Sequence, residues 1–199
     1  PLAGLARRFS LPVGAAPSAP LAPRVALLAL VVASGLLRLA WCAALEPTND
    51  EAYHFLYSQH LALSYFDHPP MTAWVETVGL TLCGGWVHPL SLRLGFIAMF
   101  AGATVVLHRW TARFFGEWAG FYAALFLNLS GYYAIAGGFA LPDSPYLFFS
   151  LLTMWAASEA VLGEPKRLLP WVWVGLAFGA AFLSKYHAVF LPAGVVLYA

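Results

Sequence analysis

The sequence predicts an all-α protein, a multi-span transmembrane helical bundle with amphipathic interfacial helices in its first outer loop. Three observations predict it. Of the 199 residues, 61% are hydrophobic and only 10% charged, where an average soluble domain carries about 25% charged residues. Apolar runs near the roughly 20 residues needed to cross a bilayer recur along the chain. The basic residues gather in connections that would share one side of the membrane, the pattern that marks the cytoplasmic side. Membrane lipids are therefore its surroundings. A net charge of +1 without any basic stripe argues against nucleic acid as a partner. No CxxC, HExxH, Walker loop or GxGxxG occurs, and Cys42 and Cys83 do not make a disulfide framework. No cofactor is required by the sequence, although a divalent metal remains compatible with it.

Residues 1–23, rich in Pro and Ala and carrying Arg7 and Arg8, read as a disordered cytoplasmic tail. The first span is expected at about 24–45. It contains Arg38, and an arginine at a helix centre costs roughly 2.5–3.5 kcal/mol on insertion scales, so Arg38 should face the bundle or a watery cavity.

The outer loop 46–89 follows. Its first part, 46–71, holds four of the nine acidic residues, three of the six histidines and no Lys or Arg. Thr48 and Glu51 form a capping box, so a helix should start at Asn49 or Asp50. Asp50 then lies in the first turn, where the helix dipole favours its ionised form. His54 at i+4 and Tyr57 at i+7 share its face. The helix should end before Asp67-His68-Pro69-Pro70, because each proline disfavours helical geometry in the residue before it. Beyond the prolines, Met71, Trp74, Val75, Val78 and Leu82 form one stripe with Thr72, Glu76 and Thr77 elsewhere, as suits a helix lying in the interface.

Further spans are expected at about 90–108, 117–136, 144–162, 169–184 and 187–199. Arg109 and Arg113 in the connection 109–116, Lys166 and Arg167 in 163–168, and Arg7, Arg8 and Arg24 put that side in the cytoplasm. Loop 46–89, loop 137–143 with Asp143, and the turn at Ser184-Lys185 then meet on the opposite face.

Three chemistries can use such a face. In sugar transfer from a lipid phosphate, ionised Asp50 takes the acceptor's proton while His68 and Lys185 hold the phosphate leaving group. In metal binding, Asp50 and His54, one helical turn apart, join His68 and Asp143 around a divalent ion. In transport, Arg38 and the loop charges line a pathway. A non-catalytic membrane scaffold remains a further reading.

Three motifs decide between them by resemblance. Asp50-Glu51-Ala52-Tyr53 with Ser58-Gln59-His60-Leu61 and Tyr65-Phe66-Asp67-His68-Pro69-Pro70-Met71 resembles the first extracytoplasmic loop of glycosyltransferase family 39, whose members are polyprenyl-phosphate-sugar transferases of the GT-C class. That family includes protein O-mannosyltransferases and the aminoarabinose transferases of lipid A. Pro142-Asp143-Ser144-Pro145-Tyr146 is similar to its second outer loop, and Leu183-Ser184-Lys185-Tyr186 to its later Ser/Thr-Lys turn. The resemblance implies that 24–199 is the N-terminal part of a GT-C-like transmembrane domain in a longer chain. It implies inverting transfer of a sugar from a polyprenyl-phosphate donor to a lipid, glycan or protein acceptor, on the periplasmic face of a bacterial inner membrane. Asp50 matches the catalytic aspartate and Asp143 the second acidic position, with Glu51 beside Asp50 in the motif. His68, Lys185, Arg38, Tyr53, Tyr65 and Asp67 are the expected substrate and phosphate contacts. His68 departs from the lysine that aminoarabinose enzymes carry before Pro-Pro, which favours a general sugar transferase over that type.

Overall fold

The computed structural model describes residues 21–162 and 168–198, and every regular element in them is helical. Most of the expected N-terminal tail, together with Lys166 and Arg167, lies outside the described residues. The helices are α1 (Leu21–Ala44), α2 (Asn49–Ser58), α3 (Met71–Leu82), α4 (Pro89–Phe115), α5 (Glu117–Leu129), α6 (Gly131–Ala136), α7 (Asp143–Leu162), α8 (Leu169–Ser184), a 3-10 turn (Tyr186–Val189) and α9 (Phe190–Tyr198). Three of them, α1, α4 and α7, are long and apolar enough to cross a membrane. The protein is an all-α membrane helical bundle.

The centre is α4, which packs against α1, α3, α5 and α7, while α8 lies along α7. At about 1.5 Å per residue, its 27 residues span roughly 40 Å. The helix runs on through the segment 109–115 that the sequence suggested as a connection. Arg113 remains within it because its guanidinium reaches Glu159 of α7 at 2.8 Å.

The run at 117–136 is broken rather than continuous. Ser130 adopts a non-helical conformation between α5 and α6, and across this break lies Arg38 of α1. Its guanidinium donates to the Tyr133 carbonyl at 3.2 Å, to the Ser34 carbonyl at 3.2 Å and to Asn128 Oδ1 at 3.4 Å, and sits 4.2 Å from the Phe100 ring centre. Asn128 in turn donates to Thr104 at 3.1 Å. Between helices in lipid, packing and polar contacts of this kind hold the bundle, because lipid tails are as apolar as the side chains they would replace. Arg38 is therefore buried among α1, α5 and α6, away from the cavity described below.

The face that α3 buries mixes polar with apolar residues. Thr72, Val75, Glu76 and Gly79 are buried, whereas Val78 and Leu82 of the apolar stripe are exposed. Two glycines cause this. A side chain on Gly79 would run into the Ser91 carbonyl of α4, and one on Gly95 into Val75. Their absence lets α3 and α4 approach backbone to backbone, which turns the apolar stripe outward.

Candidate active site

At one end of the bundle, α2, the loop after it, the turn before α7 and the turn after α8 border a cavity of about 430 Å³. Its walls bring together Asp50, Tyr53, His54, Asp67, His68, Asp143 and Lys185 from distant parts of the chain.

The position of α2 comes from its cap. Thr48 Oγ1 accepts from the Glu51 amide at 3.3 Å and the Thr48 amide donates to Glu51 at 2.9 Å, so the capping box is present and the helix starts at Asn49. Asp50 is exposed in the first turn and lines the cavity. Glu51, the next residue, points the other way and is 0% exposed. Its carboxylate takes two hydrogen bonds of 2.7 Å from Arg93 and one of 2.8 Å from the Ala140 amide. Arg93 spends its remaining donors on the carbonyls of Cys42, Leu45 and Glu46, which end α1 and have no helical partners. Burial alone would raise the Glu51 carboxyl, but the Arg93 hydrogen bonds, the two amides and the Arg93 charge outweigh it and hold it below the ordinary value. Glu51 thus does not line the cavity. It ties together α1, α2, α4 and the loop that leads to Asp143. Arg93 is absent from the candidates that the sequence suggests; its one signal there is an arginine near the end of a span, which requires a partner.

Behind this pair lies Glu76, fully buried, with neither carboxylate oxygen hydrogen-bonded. Burial, reinforced by the Glu51 charge, raises its pKa to about 8. The folded protein thus holds a proton there that the unfolded chain releases above its ordinary 4.5. Stability is expected to fall as pH rises from about 4.5 to about 8, by at most about 1.4 kcal/mol per pH unit, and to level off above that range. Glu76→Gln should flatten this dependence in thermal unfolding measured across the same pH range.

On the opposite wall, Asp143 occupies the first turn of α7. Lys185 stands in extended conformation between α8 and the 3-10 turn, and its ammonium donates to Asp143 Oδ1 at 2.9 Å. The two residues lie 42 apart in sequence, and the pair leaves a half-buried cation facing the cavity.

The third wall is the Asp67-His68 corner. Tyr57 donates to Asp67 at 2.6 Å, Tyr53 donates to it at 3.1 Å, and His68 Nδ1 lies 3.0 Å from it. The Tyr57 hydrogen bond, with His68 close beside it, holds the Asp67 carboxyl down to about 2, so an anion stands next to His68. Tyr65 does not reach the cavity. It stacks on Tyr57 with ring centres 4.0 Å apart and donates to the Tyr57 carbonyl, supporting the loop from outside. His54 is 3% exposed and packs edge-on against His68 at 5.0 Å. Burial, followed by the His68 charge, lowers its pKa, against the opposing pull of the Asp50 carbonyl and of Asp50 and Asp67. Tyr132 and His187 also line the cavity; single residues on short outer segments, they carried no sequence signal.

Asp50, His54 and Asp143, the metal candidates, all border this space. Among the described residues, however, no group of three or more His, Cys, Asp or Glu side chains is arranged to hold a metal ion.

The chain was compared with known proteins. Residues 67–199 match the family described as dolichyl-phosphate-mannose-protein mannosyltransferase. A lipid A galacturonosyltransferase, RgtD of Rhizobium johnstonii, is 32% identical over 153 residues, covering 74% of this chain. The chain spans 31% of that relative's length. No solved structure matches. With its helical membrane bundle and a family match over most of its length, the chain belongs to the dolichyl-phosphate-mannose-protein mannosyltransferase family, within the GT-C class.

Proposed function

We propose that the protein transfers a sugar from a polyprenyl-phosphate donor to an acceptor on the outer face of a bacterial inner membrane, with inversion at the anomeric carbon and Asp50 as base. The observation that carries this reading is the meeting of an exposed carboxylate, Asp50, with the Asp143–Lys185 pair and His68 around one cavity. The acceptor hydroxyl or amine gives its proton to Asp50 and attacks the anomeric carbon from the side opposite the phosphate. The anomeric carbon–oxygen bond to phosphate breaks, and the phosphate leaves with that electron pair. Lys185 and His68 stabilise the negative charge that gathers on it. Asp143 keeps the ammonium in place, and Asp67 does the same for the imidazole. A lipid-linked donor suits the setting, since the cavity opens at the end of membrane-spanning helices. The acceptor is a lipid, glycan or protein; the relative's name makes lipid A the first to try.

The test is mass analysis of products when membranes holding the full-length protein receive labelled polyprenyl-phosphate galacturonic acid or mannose with candidate acceptors, with and without a chelator. Substrate flux into liposomes without glycosylated product would replace the transferase reading by transport. Lys185→Met is expected to lower kcat/KM for the donor by about 10²–10³-fold, the usual cost of losing one charge-stabilising group. Steady-state kinetics with varied donor checks this, and an unchanged value removes Lys185 from the phosphate site.

A further inference from the structure

One group in the cavity has no part in the chemistry above. His54 is all but fully buried, yet neither of its ring nitrogens makes a well-formed hydrogen bond, the pull of the Asp50 carbonyl notwithstanding. Buried polar atoms are ordinarily paired, and leaving one unpaired costs about 1–3 kcal/mol. Packing alone does not account for a histidine here, because a leucine would fill a similar volume without that cost. The side chain lines the same cavity as Asp50, from the same helix and one turn further on. Asp67 is held by Tyr53 and Tyr57, and Lys185 pairs with Asp143, whereas the Asp50 carboxylate on these walls has no such partner among the described residues. A neutral imidazole offers one acceptor and one donor on different edges of its ring, and a hydroxyl, able to give or to take a hydrogen bond, can pair with either.

Resting on the transferase reading, we propose that His54 is a specificity-determining residue that hydrogen-bonds a hydroxyl of the bound substrate beside the Asp50 base. A hydroxyl there pairs with the ring nitrogen it meets, and a substrate lacking it leaves that nitrogen buried and unpaired. Sites built to pair a hydroxyl reject its deoxy analogue strongly for this reason. The hydroxyl belongs either to the transferred sugar or to the acceptor, and the two sources are separable by experiment.

The experiment compares wild type, His54→Leu, His54→Asn and His54→Gln in the full-length protein in membranes. Transfer from polyprenyl-phosphate galacturonic acid and mannose is measured, with singly deoxygenated donors in one arm and singly deoxygenated acceptors in the other. Thermal unfolding is followed with and without each donor. His54→Leu is expected to unfold at or above the wild-type temperature and to lose at least about tenfold in kcat/KM, with Asn or Gln recovering part of it. The loss should disappear on one deoxy compound, and the arm containing that compound names the source. Wild-type turnover by His54→Leu, or an equal loss on every deoxy compound in both arms, overturns the role of His54 and leaves the transferase reading intact. A wild-type protein that neither turns over nor is stabilised by either donor overturns both.

Discussion

Asp50→Asn in the full-length protein is expected to reduce sugar transfer by about 10²–10⁴-fold, the range that a positioned general base contributes, with little change in folding. The substitution preserves shape at an exposed position and removes only the capacity to take a proton. The first-turn location limits the structural effect, since losing a negative charge at a helix N-terminus costs about 0.3–1 kcal/mol. Product formed from labelled donor should therefore collapse while the unfolding temperature moves by no more than a few degrees. Transfer within threefold of wild type would remove Asp50 as the base, and the site would need another proton acceptor. Glu51 is poorly placed to be that acceptor. It is buried, and Arg93 and two backbone amides occupy its oxygens.

Arg93→Met is expected to destabilise the protein by about 3–5 kcal/mol, the penalty for stranding one member of a buried ion pair. The cause is more than the lost attraction. Glu51 would be left as a buried carboxylate beside the unpaired Glu76, and three carbonyls at the end of α1 would lose their donors. Arg93→Lys should recover little, because a single ammonium cannot serve a carboxylate side-on and three carbonyls together. The double variant Glu51→Gln with Arg93→Met should be less destabilised than the sum of the two single changes, since it leaves no uncompensated charge. Unfolding in detergent, by heat or denaturant, measures all four. A stable Arg93→Met protein would show that the pair is not what holds this end of the bundle. Activity is expected to fall together with stability, because Glu51 adjoins Asp50 in sequence and also holds the amide of Ala140, three residues before Asp143.

The sequence by itself determined the helical membrane architecture, the start of α2 and the proline corner. These rest on properties of neighbouring residues: apolar runs, a Thr48–Glu51 cap and the restriction that proline places on the residue before it. Motif resemblance also named Asp50, His68, Asp143 and Lys185, all of which line one cavity. Orientation was decided only by the tertiary structure. Asp50 and Glu51 are adjacent acids in one motif, and successive helical positions point about 100° apart, but nothing local says which of them looks inward. Arg93 on α4 settles it by capturing Glu51, just as the glycine contact between α3 and α4 turns Glu76 in and Val78 out. Arg38 reads as a pathway residue until the break at Ser130 presents it with the Tyr133 carbonyl. For Glu51 and Arg38 the deciding partner is 42 and 95 residues away, and only the packed bundle can satisfy a buried charge that the chain's local pattern leaves open.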